Sequence, residues 1–354
     1  MSAPHDSSTD IRARVIDAVE QRAPLTIVGG DTKHFLGRDV QGEPLALGDH
    51  RGVIAYHPEE LVLTARAGTP LSELETLLAE HDQIFAFEPP HFGTAATIGG
   101  TIAANLSGPR RAYAGAARDF VLGTRIVNGR GEILRFGGEV MKNVAGYDLS
   151  RLVTGAMGTL GVILDVSLKV LPRPRETMTL VQSLAPRTAV ESLCRWATTP
   201  LPISASCIDD GHLYVRLSGT VSALAKARTA IGGEVLEDAD TFWLEVREQR
   251  RPFFGGETPL WRVSVPPAAK LDLPGEQLIE WGGALHWLKS DAPAKTVRAT
   301  AAEQGGHAML FRSSVRLSNP YHPLPEPLMQ LHGRIKAAMD PHGIFNRGRM
   351  YAGF

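Results

Sequence analysis

Three glycine-rich segments of the chain could bring backbone N–H groups close to an anionic ligand. The first, VGGDTKHFLG (28–37), follows a short apolar run, and Thr32 and Lys33 add a hydroxyl and an ammonium group to its paired glycines. Successive backbone amides, with such side chains, bind phosphate groups in many proteins. The loop has neither the Walker nor the Rossmann spacing. Taken alone, it is as typical of a structural turn as of a phosphate site.

The second and third segments continue this pattern along the chain. ATIGGTIAANLSGPRRAYAGAARDF (96–120) combines glycines with three arginines, and GAMGTLGVI (155–163) comes directly before a strand-like run. Glycine allows the backbone to approach a ligand closely. A ligand that touches all three segments must be long, so the pattern favours a dinucleotide such as FAD over a mononucleotide. Arg110, Arg111 and Arg118 are interpreted either as partners of its phosphates or as local packing residues.

The composition argues against several other classes of function. The 354 residues carry a formal net charge of −1, which gives no basic surface for nucleic acid. Two cysteines exclude a disulfide framework and cannot supply the four thiolates of an ordinary iron–sulfur cluster. No H-E-x-x-H or similar spacing is present, so no metal site is predicted. The sequence shows neither a signal-peptide core nor an apolar run of about 18 residues, which predicts a cytoplasmic protein.

Four motifs resemble those of a known family. VGGDTK, PPHFGTAATIGGTIAANLSGPRRAYAGAARD, KNVAGYDLSRLVTGAMGTLGVI and DPHGIFNRGRM are similar, in this order, to FAD-binding proteins of the vanillyl-alcohol oxidase/PCMH superfamily. Within it they are most similar to the D-lactate dehydrogenase/glycolate oxidase branch, and there to the FAD-binding E-type subunits of glycolate oxidases. The resemblance covers 20–172 and 320–354, whereas the middle of the chain matches mainly through WGGALHWLKS and GGHAMLFR.

The resemblance implies an α+β fold with three parts. Residues 1–172 would form a PCMH-type FAD-binding domain of two α+β subdomains. Residues 173–325 would form an antiparallel-sheet cap domain of the FAD-linked oxidase type. Residues 326–354 would form a C-terminal helix and a tail that returns to the flavin site.

The resemblance also implies which residues bind FAD. The pyrophosphate would lie on Val28, Gly29, Gly30, Asp31, Thr32 and Lys33. The phosphates and the ribityl chain would follow Thr97, Ile98, Gly99, Gly100, Ala103, Asn105 and Gly108, with Arg118 as a further phosphate partner. The adenosine end would lie against Gly158, Gly161, Val162 and Ile163, and the flavin ring would meet Asn346 and Arg349.

Two departures from the family pattern bear on the chemistry. Covalent members carry a histidine directly after the paired glycines, but here that position is Asp31 and His34 comes three residues later. We therefore expect non-covalent FAD. The catalytic D-type subunits carry a G-H-x-G-D-G-N motif for a metal and the substrate hydroxyl, and this chain has none. This absence favours a role in which a partner carries out the oxidation.

Oxidation of a 2-hydroxy acid by a flavin needs a group that accepts the hydroxyl proton and a group that holds the carboxylate. His286, His307 and His322 are the candidate bases. Arg312 and Arg347 are the candidates for the carboxylate, because a planar guanidinium binds it well. Each of these residues is also compatible with a structural or surface role, and Tyr147 is interpreted as a packing residue.

Three functions remain open at this stage. The chain could be the FAD-binding subunit of a glycolate oxidase complex, with a catalytic D-type flavoprotein and an iron–sulfur subunit that passes electrons to a membrane quinone pool. It could instead be a non-catalytic, FAD-carrying electron-transfer or assembly subunit. It could also be a stand-alone FAD-dependent 2-hydroxy-acid dehydrogenase. Through such a complex, the protein would lie only peripherally at a membrane, at the inner face of the cell membrane.

Periodicity predicts the elements that must position these residues. Helices are expected over 11–19, 69–82 (capped by Thr69), 189–199, 294–304 and the C-terminal segment, where Leu328, Leu331, Ile335 and Ala338 would form a buried stripe. Strands are expected at 25–28 and 61–66, with a hairpin near Asn128 and a half-buried strand at 162–170. In 173–325, LYVRLSG, FWLEVRE and WRVSVP are predicted as β-like pieces of an antiparallel sheet with helices on one side.

Overall fold

The computed structural model describes residues 4–138, 148–315 and 319–354, so Tyr147 and part of KNVAGYDLSRL lie outside the described residues. The helices are α1 (Ser8–Gln21), α2 (Leu71–Ala79), α3 (Ile98–Ala104), α4 (Arg111–Ala114), α5 (Ala117–Phe120), α6 (Leu149–Val153), α7 (Pro186–Trp196), α8 (Val221–Ile231), α9 (Ala239–Arg247), α10 (Ala294–Glu303) and α11 (Glu326–Met339). The strands are β1 (Leu25–Val28), β2 (Glu43–Ala46), β3 (Val53–His57), β4 (Val62–Arg66), β5 (Gln83–Ile84), β6 (Val121–Val127), β7 (Ile133–Gly137), β8 (Val162–Lys169), β9 (Leu171–Pro172), β10 (Glu176–Ser183), β11 (Ile203–Asp209), β12 (His212–Gly219), β13 (Glu234–Val235), β14 (Leu260–Ser264), β15 (Glu276–Glu280), β16 (Leu285–Lys289) and β17 (His307–Arg312).

The chain divides into two compact units. The first is drawn from 1–106, 116–172 and 323–354, and the second from 107–115 and 173–322. The boundary between Pro172 and Arg173 is the one expected from the sequence. Two segments are assigned differently: 107–115 belongs to the second unit, and the C-terminal helix and tail belong to the first.

The first unit is built on an antiparallel sheet with the strand order β3-β4-β8-β6-β7. A separate parallel pair, β1 and β2, packs into one core cluster with α1 and β8 through Val15, Leu25, Leu45, Leu164 and Phe345. This cluster fixes the end of β1, from which the first glycine-rich loop leaves. The predicted hairpin is confirmed as β6 and β7, with Asn128 at the turn.

The central strand β8 differs from its predicted character. Its alternation of apolar and polar residues predicted a half-buried strand, but Asp165 and Ser167 are buried as well. Both have partners: Asp165 pairs with Arg125 and lies 3.4 Å from His50 Nε2, and Ser167 Oγ lies 2.9 Å from Thr64 Oγ1. Buried polar groups persist where they are paired. The expectation therefore failed because the polar face of this strand is also covered.

Helix α2 buries Leu71, Leu74 and Leu78 as predicted, but Thr69 does not cap it. Thr69 Oγ1 instead donates to Arg66 O at 2.6 Å and accepts from Gly52 N at 2.9 Å. The hydroxyl therefore joins the chain that enters the helix to the preceding turn.

The second unit contains an antiparallel sheet with the order β13-β10-β12-β11-β15-β16-β14-β17. Segment 107–115 belongs to it because its residues bond to this sheet and its turns. Arg110 Nη2 donates to Ser218 Oγ at 3.3 Å, and Gly108 O accepts from Trp281 Nε1 at 3.1 Å. Arg110 and Arg111, for which the sequence leaves phosphate contact and local packing open, thus contact residues of the second unit.

The predicted strand FWLEVRE is wrong, because these residues lie in α9. Phe242, Trp243 and Val246 are buried there on one helical face. A run with apolar residues at these three positions fits a helix as well as a short strand, and periodicity alone does not separate the two.

Helices cover both faces of this sheet, so the expectation of helices on one side is also wrong. Leu213 and Val215 of β12 pack with α7 and α8. Side chains alternate between the two faces along a strand. The intervening Tyr214 accordingly stacks on Phe242 of α9 with ring centroids 4.0 Å apart.

The predicted buried stripe of α11 is wrong as well. Leu328 and Leu331 are 46% and 41% exposed, Ala338 is exposed and Ile335 is half-buried. The buried residue of this helix is Lys336. The helix is therefore attached through polar contacts at its last turn, and it ends before Asp340 as predicted.

Two further features concern only the residues that the structure describes. None of their helices is long and apolar enough to cross a membrane. They also contain no group of three or more His, Cys, Asp or Glu side chains placed to hold a metal ion.

Candidate functional site

The three glycine-rich segments and the C-terminal tail meet at one open cavity of about 210 Å³ in the first unit. The residues predicted from the sequence that line it are Val28, Gly29, Gly30, Asp31, Thr32, Lys33, Thr97, Gly99, Gly100, Ala103, Gly158, Gly161, Ile163, Asn346 and Arg349. The structure thus brings together positions that are more than 300 residues apart in the chain.

The first loop presents a row of backbone donors to this cavity. Among the described residues, the N–H groups of Gly29, Gly30, Asp31 and Thr32 donate to no protein atom. The loop is fixed by close packing, because a Cβ on Gly30 would lie 1.5 Å from Ala95 O. Consecutive N–H groups held in a fixed turn form a favourable site for a phosphate-type anion. The pyrophosphate of a dinucleotide fits this row.

Lys33 contributes to the same end of the cavity. Its ammonium group is largely buried, donates to His91 O at 3.2 Å and lies 5.8 Å from the ring centroid of Phe92. Near the loop, the ring of His34 lies 3.4 Å from the Asp31 carboxylate. A positive charge beside the four amides suits an anionic ligand.

In the second segment, unlike the first, the backbone N–H groups at the start of helix α3 are hydrogen-bonded within the protein. Ile98 N donates to Thr69 O, Gly99 N donates to Ala67 O at 2.8 Å, and Gly100 N donates to the Thr97 hydroxyl at 3.3 Å. The first turn of α3 is therefore satisfied within the protein. This helix lines the cavity with small residues, among them Gly100, Ala103 and Ala104.

The third segment is tied to the second by backbone hydrogen bonds. Gly155 N donates to Ile102 O and Met157 N donates to Ala103 O, both at 3.0 Å. Met157 and Gly158 both have a positive φ, 52° and 70°, and this turn brings the backbone to the cavity wall. Since L side chains rarely adopt this conformation, the glycine of the pair meets a steric requirement.

The C-terminal tail closes the cavity through Asn346 and Arg349. Asn346 Oδ1 accepts from Ile27 N at 2.9 Å, and its Nδ2 donates to Met157 O at 2.7 Å. Arg349 Nη2 donates to His34 O at 3.0 Å. One side chain thus joins β1 to the third segment, and the other joins the tail to the first loop.

The tail is in turn held by a buried ion pair at the end of α11. Lys336 Nζ donates to Asp340 Oδ2 at 2.7 Å and to Thr159 O at 2.6 Å. Asp340 Oδ2 also accepts from Phe345 N at 2.9 Å, directly before Asn346. Burial lowers the pKa of Lys336, and Asp340 opposes this shift.

Five residues predicted to bind FAD do not line the cavity, namely Ile98, Asn105, Gly108, Arg118 and Val162. Ile98 and Val162 are buried in the core, and Asn105 Oδ1 accepts from Arg118 N at 3.2 Å. Gly108 belongs to the second unit. Their predicted roles remain predictions without support from the cavity.

The sequence prediction missed several apolar residues of the cavity wall, which are Ile27, Val40, Leu47, Ala67, Ala104 and Met157, together with Thr26 and His34. Met157 lies between Gly155 and Gly158 of the third segment, so its place in a glycine-rich motif could have indicated that it lines the cavity. Leu47 and Ala67 come from chain segments without a motif, and only the fold brings them here. These apolar side chains suit contact with a planar ring, and the amides of the first loop suit a phosphate group, so the chemistry of the cavity wall is compatible with FAD.

Within the second unit, the candidate base His286 lies on the opposite face of the sheet from His307. His286 is buried, with Nε2 3.1 Å from Gly283 O and Nδ1 2.9 Å from Gln277 Oε1. Burial lowers the pKa of His286 to about 4, against which the Gly283 bond acts weakly. The ring is therefore neutral at pH 7, and its single N–H can donate to only one of these two oxygens. It lines a separate cavity in the second unit.

The other candidates lie elsewhere. The rings of His307 and His322 are neighbours, with centroids 6.4 Å apart, and His322 Nδ1 accepts from Ala308 N at 3.3 Å. Arg312 Nη2 donates to Gln249 Oε1 at 2.9 Å, and Arg347 is exposed in the first unit. The roles of these residues as base or carboxylate clamp stay predictions.

Comparisons with known proteins identify the family of the first unit and of the chain. Residues 4–137 match a family of FAD-binding domains. The chain is 48% identical to the glycolate oxidase subunit GlcE of Escherichia coli K12, over 98% of both chains. It is 34% identical to the glycolate oxidase subunit GlcD of Bacillus subtilis, over 49% of this chain and 37% of that protein. The structure resembles 4-ethylphenol oxidase from Gulosibacter chungangensis with a TM-score of 0.71 and 16% identity, covering 99% of this chain and 88% of the other, which shows a shared fold.

Proposed function

The chain belongs to the family of the glycolate oxidase subunit GlcE, and from this premise we propose that it is the FAD-carrying subunit of a glycolate oxidase. In this role it takes part in oxidising glycolate or a related 2-hydroxy acid to the 2-oxo acid. The observation that carries the proposal is the row of backbone N–H groups from Gly29 to Thr32, which donate to no atom of the described residues and belong to residues that line the cavity.

The residues of this chain hold the cofactor rather than alter the substrate. The amides of the first loop bind the pyrophosphate, and Gly100 leaves room beside it. Asn346 and Arg349 fix the loop and the third segment in position. When bound, FAD would supply the electron acceptor for this oxidation.

We further propose that the chain acts with a D-type catalytic flavoprotein and an iron–sulfur subunit. The iron–sulfur subunit passes electrons to the quinone pool of a membrane, and the complex binds to this membrane peripherally. The relatives bear the names of two different glycolate oxidase subunits, GlcE and GlcD. The two cysteines of this chain are too few for an iron–sulfur cluster. A second candidate function, electron transfer without catalysis, is favoured by the missing G-H-x-G-D-G-N motif.

An anaerobic titration tests these proposals. The chain is purified alone and with its co-expressed partner subunits, and the flavin spectrum is recorded before and after glycolate is added. We expect bound flavin in both samples, bleaching by glycolate only in the complex, and complete release of the flavin by acid because it is not covalently attached. Bleaching of the isolated chain would establish a stand-alone dehydrogenase instead. A folded chain that takes up no FAD would overturn the proposed function.

A further inference from the structure

A buried histidine lies directly behind the wall of the FAD cavity. His50 is 1% exposed, does not line the cavity and belongs to none of the glycine-rich segments. It ends a turn that begins at Leu47, and Leu47 does line the cavity. A fully buried imidazole is retained where its polar atoms have partners. The partners of His50 therefore indicate its role.

The backbone of this turn joins three residues of the cavity wall. Leu47 N donates to Val28 O at 2.8 Å, directly before the paired glycines of the first loop. His50 N donates to Leu47 O at 3.0 Å. His50 O accepts from Gly68 N at 2.8 Å, next to Ala67 of the wall. The fit is close, because a Cβ on Gly68 would lie 2.0 Å from Leu47 O. A shift of His50 would therefore move Leu47 and, through it, the end of β1.

The ring of His50 lies between two parts of the chain that are distant in sequence. Ser7 N donates to Nδ1 at 3.0 Å, so the lone pair is on Nδ1 and the proton is on Nε2. Nε2 lies 3.4 Å from Asp165 Oδ1 of β8, two residues after Ile163 of the cavity wall. Neither Nε2 nor this oxygen has a hydrogen-bond partner in the described part of the chain. A movement of a few tenths of an ångström closes their contact into a hydrogen bond.

Asp165 is held in place from both sides of its strand. It is the register partner of Arg66 in β4 and of Arg125 in β6, and its carboxylate pairs with Arg125. Asp6 Oδ2 lies 3.5 Å from Arg66 Nη2 and 3.8 Å from Arg125 Nη2. Opposite charges at these distances restrict the orientation of the Asp165 carboxylate. The carboxylate is thus a fixed acceptor to which His50 can attach the turn.

We propose that His50 is a positioning residue for FAD, which acts through its contact with the Asp165 carboxylate. The contact fixes the turn 47–50 to β8, so that Leu47 of the turn and Ile163 of the strand keep their places in the cavity wall. A preorganised wall raises affinity because less conformational freedom is lost on binding. This role rests on the proposed function, because it presupposes FAD in this cavity. Loss of the contact should weaken FAD binding even in a folded protein.

Titration of the flavin-free chain and its His50 variants with FAD tests this role. His50→Leu keeps a side chain of moderate size without hydrogen bonds, and it should weaken FAD binding about tenfold, the usual scale for a lost buried hydrogen bond. His50→Gln should recover most of the affinity, because its amide nitrogen can replace Nε2 as the donor to Asp165. His50→Asn should not, because its shorter side chain can replace only the acceptor for Ser7.

Leu78→Ala is the matched control for a loss of stability alone. Leu78 is fully buried in α2 and does not line the cavity. The variant should therefore unfold at a lower temperature, yet bind FAD with the affinity of the unaltered chain.

If His50→Leu does not fold, the comparison of His50→Gln with His50→Asn carries the test. Equal FAD affinity of these two variants, or an unchanged affinity of a folded His50→Leu protein, would overturn the role of His50. Failure of the proposed function gives a different result, because then the unaltered chain itself takes up no FAD, or glycolate does not bleach the complex.

Discussion

Gly99 and Gly100 are neighbours in the sequence, but only one of them offers a clean test of the cavity. A Cβ on Gly99 would lie 2.6 Å from Ala67 Cβ, so a larger residue there would disturb the core. A Cβ on Gly100 has only Thr97 Oγ1 nearby, at 3.3 Å, and extends into the cavity. A substitution at Gly100 therefore removes ligand space with little effect on the fold.

We expect Gly100→Val to weaken FAD binding at least about tenfold, since it occupies the space beside the ligand and costs a few kcal/mol of contact and strain. The flavin-to-protein ratio after gel filtration, and the Kd of the apoprotein for added FAD, measure this loss. Gly48→Val is the control, because no atom lies within 4 Å of its Cβ position. Full FAD retention by a folded Gly100→Val protein would contradict the assignment of this wall.

At the scale of single residues, the sequence identified the parts of the cavity that depend on glycine and missed the parts that depend on the fold. The paired glycines of 29–30 and 99–100 are visible because close approach of backbone requires them. Leu47 and Ala67 line the same cavity, but nothing in their neighbouring sequence distinguishes them from other apolar residues in strands and turns.

Among the elements, α11 is attached by its last turn, and this makes the Lys336–Asp340 pair important for the tail. Removing one partner leaves the other as a buried unpaired charge, which typically costs about 3–5 kcal/mol. We expect Asp340→Ala to lose stability on this scale and also to weaken FAD retention, since Asp340 holds the backbone directly before Asn346. Thermal unfolding and the temperature of flavin release measure the two effects.

The exposed Arg334 of the same helix gives a control, because Arg334→Met should change stability by no more than about 0.5 kcal/mol. The double variant Lys336→Met/Asp340→Ala should be more stable than Asp340→Ala alone, since no buried charge is left without a partner. A double variant no better than the single one would show that the backbone contacts of Asp340, and not the charge, hold the tail.

The type of an element was predictable from the sequence where one periodicity dominates, as in α1, α2 and the β6–β7 hairpin. The type or burial of an element was not predictable where it depends on the neighbouring elements. The polar face of β8 is buried because His50 and Arg125 cover it, and α9 is a helix because it packs on a face of the sheet that the sequence left open. Leu328 and Leu331 of α11 are exposed, although their spacing is typical of a buried face.

For the whole molecule, the division into an FAD unit and a sheet unit was predictable from the Pro-rich boundary near residue 172. The assignment of 107–115 to the second unit was not, because the segment lies inside a motif that resembles the FAD-binding part. The segment belongs to the second unit because it forms hydrogen bonds with Ser206, Ser218 and Trp281, which are distant in sequence. Sequence order alone does not show such an exchange of a segment between units.

The stability of the second unit should depend on pH through His286. Burial lowers the pKa of this ring to about 4 in the folded protein, whereas the ordinary value is 6.5. Between these pH values the unfolded chain binds more protons, so the free energy of unfolding rises with pH and is lost as the pH falls from 6.5 towards 4. The loss should be on the order of 2 kcal/mol, and His286→Gln should remove most of it. All five tryptophans lie in 173–322, so denaturant unfolding followed by their fluorescence at several pH values reports on this unit. An equal loss on acidification in both proteins would contradict a neutral, buried His286.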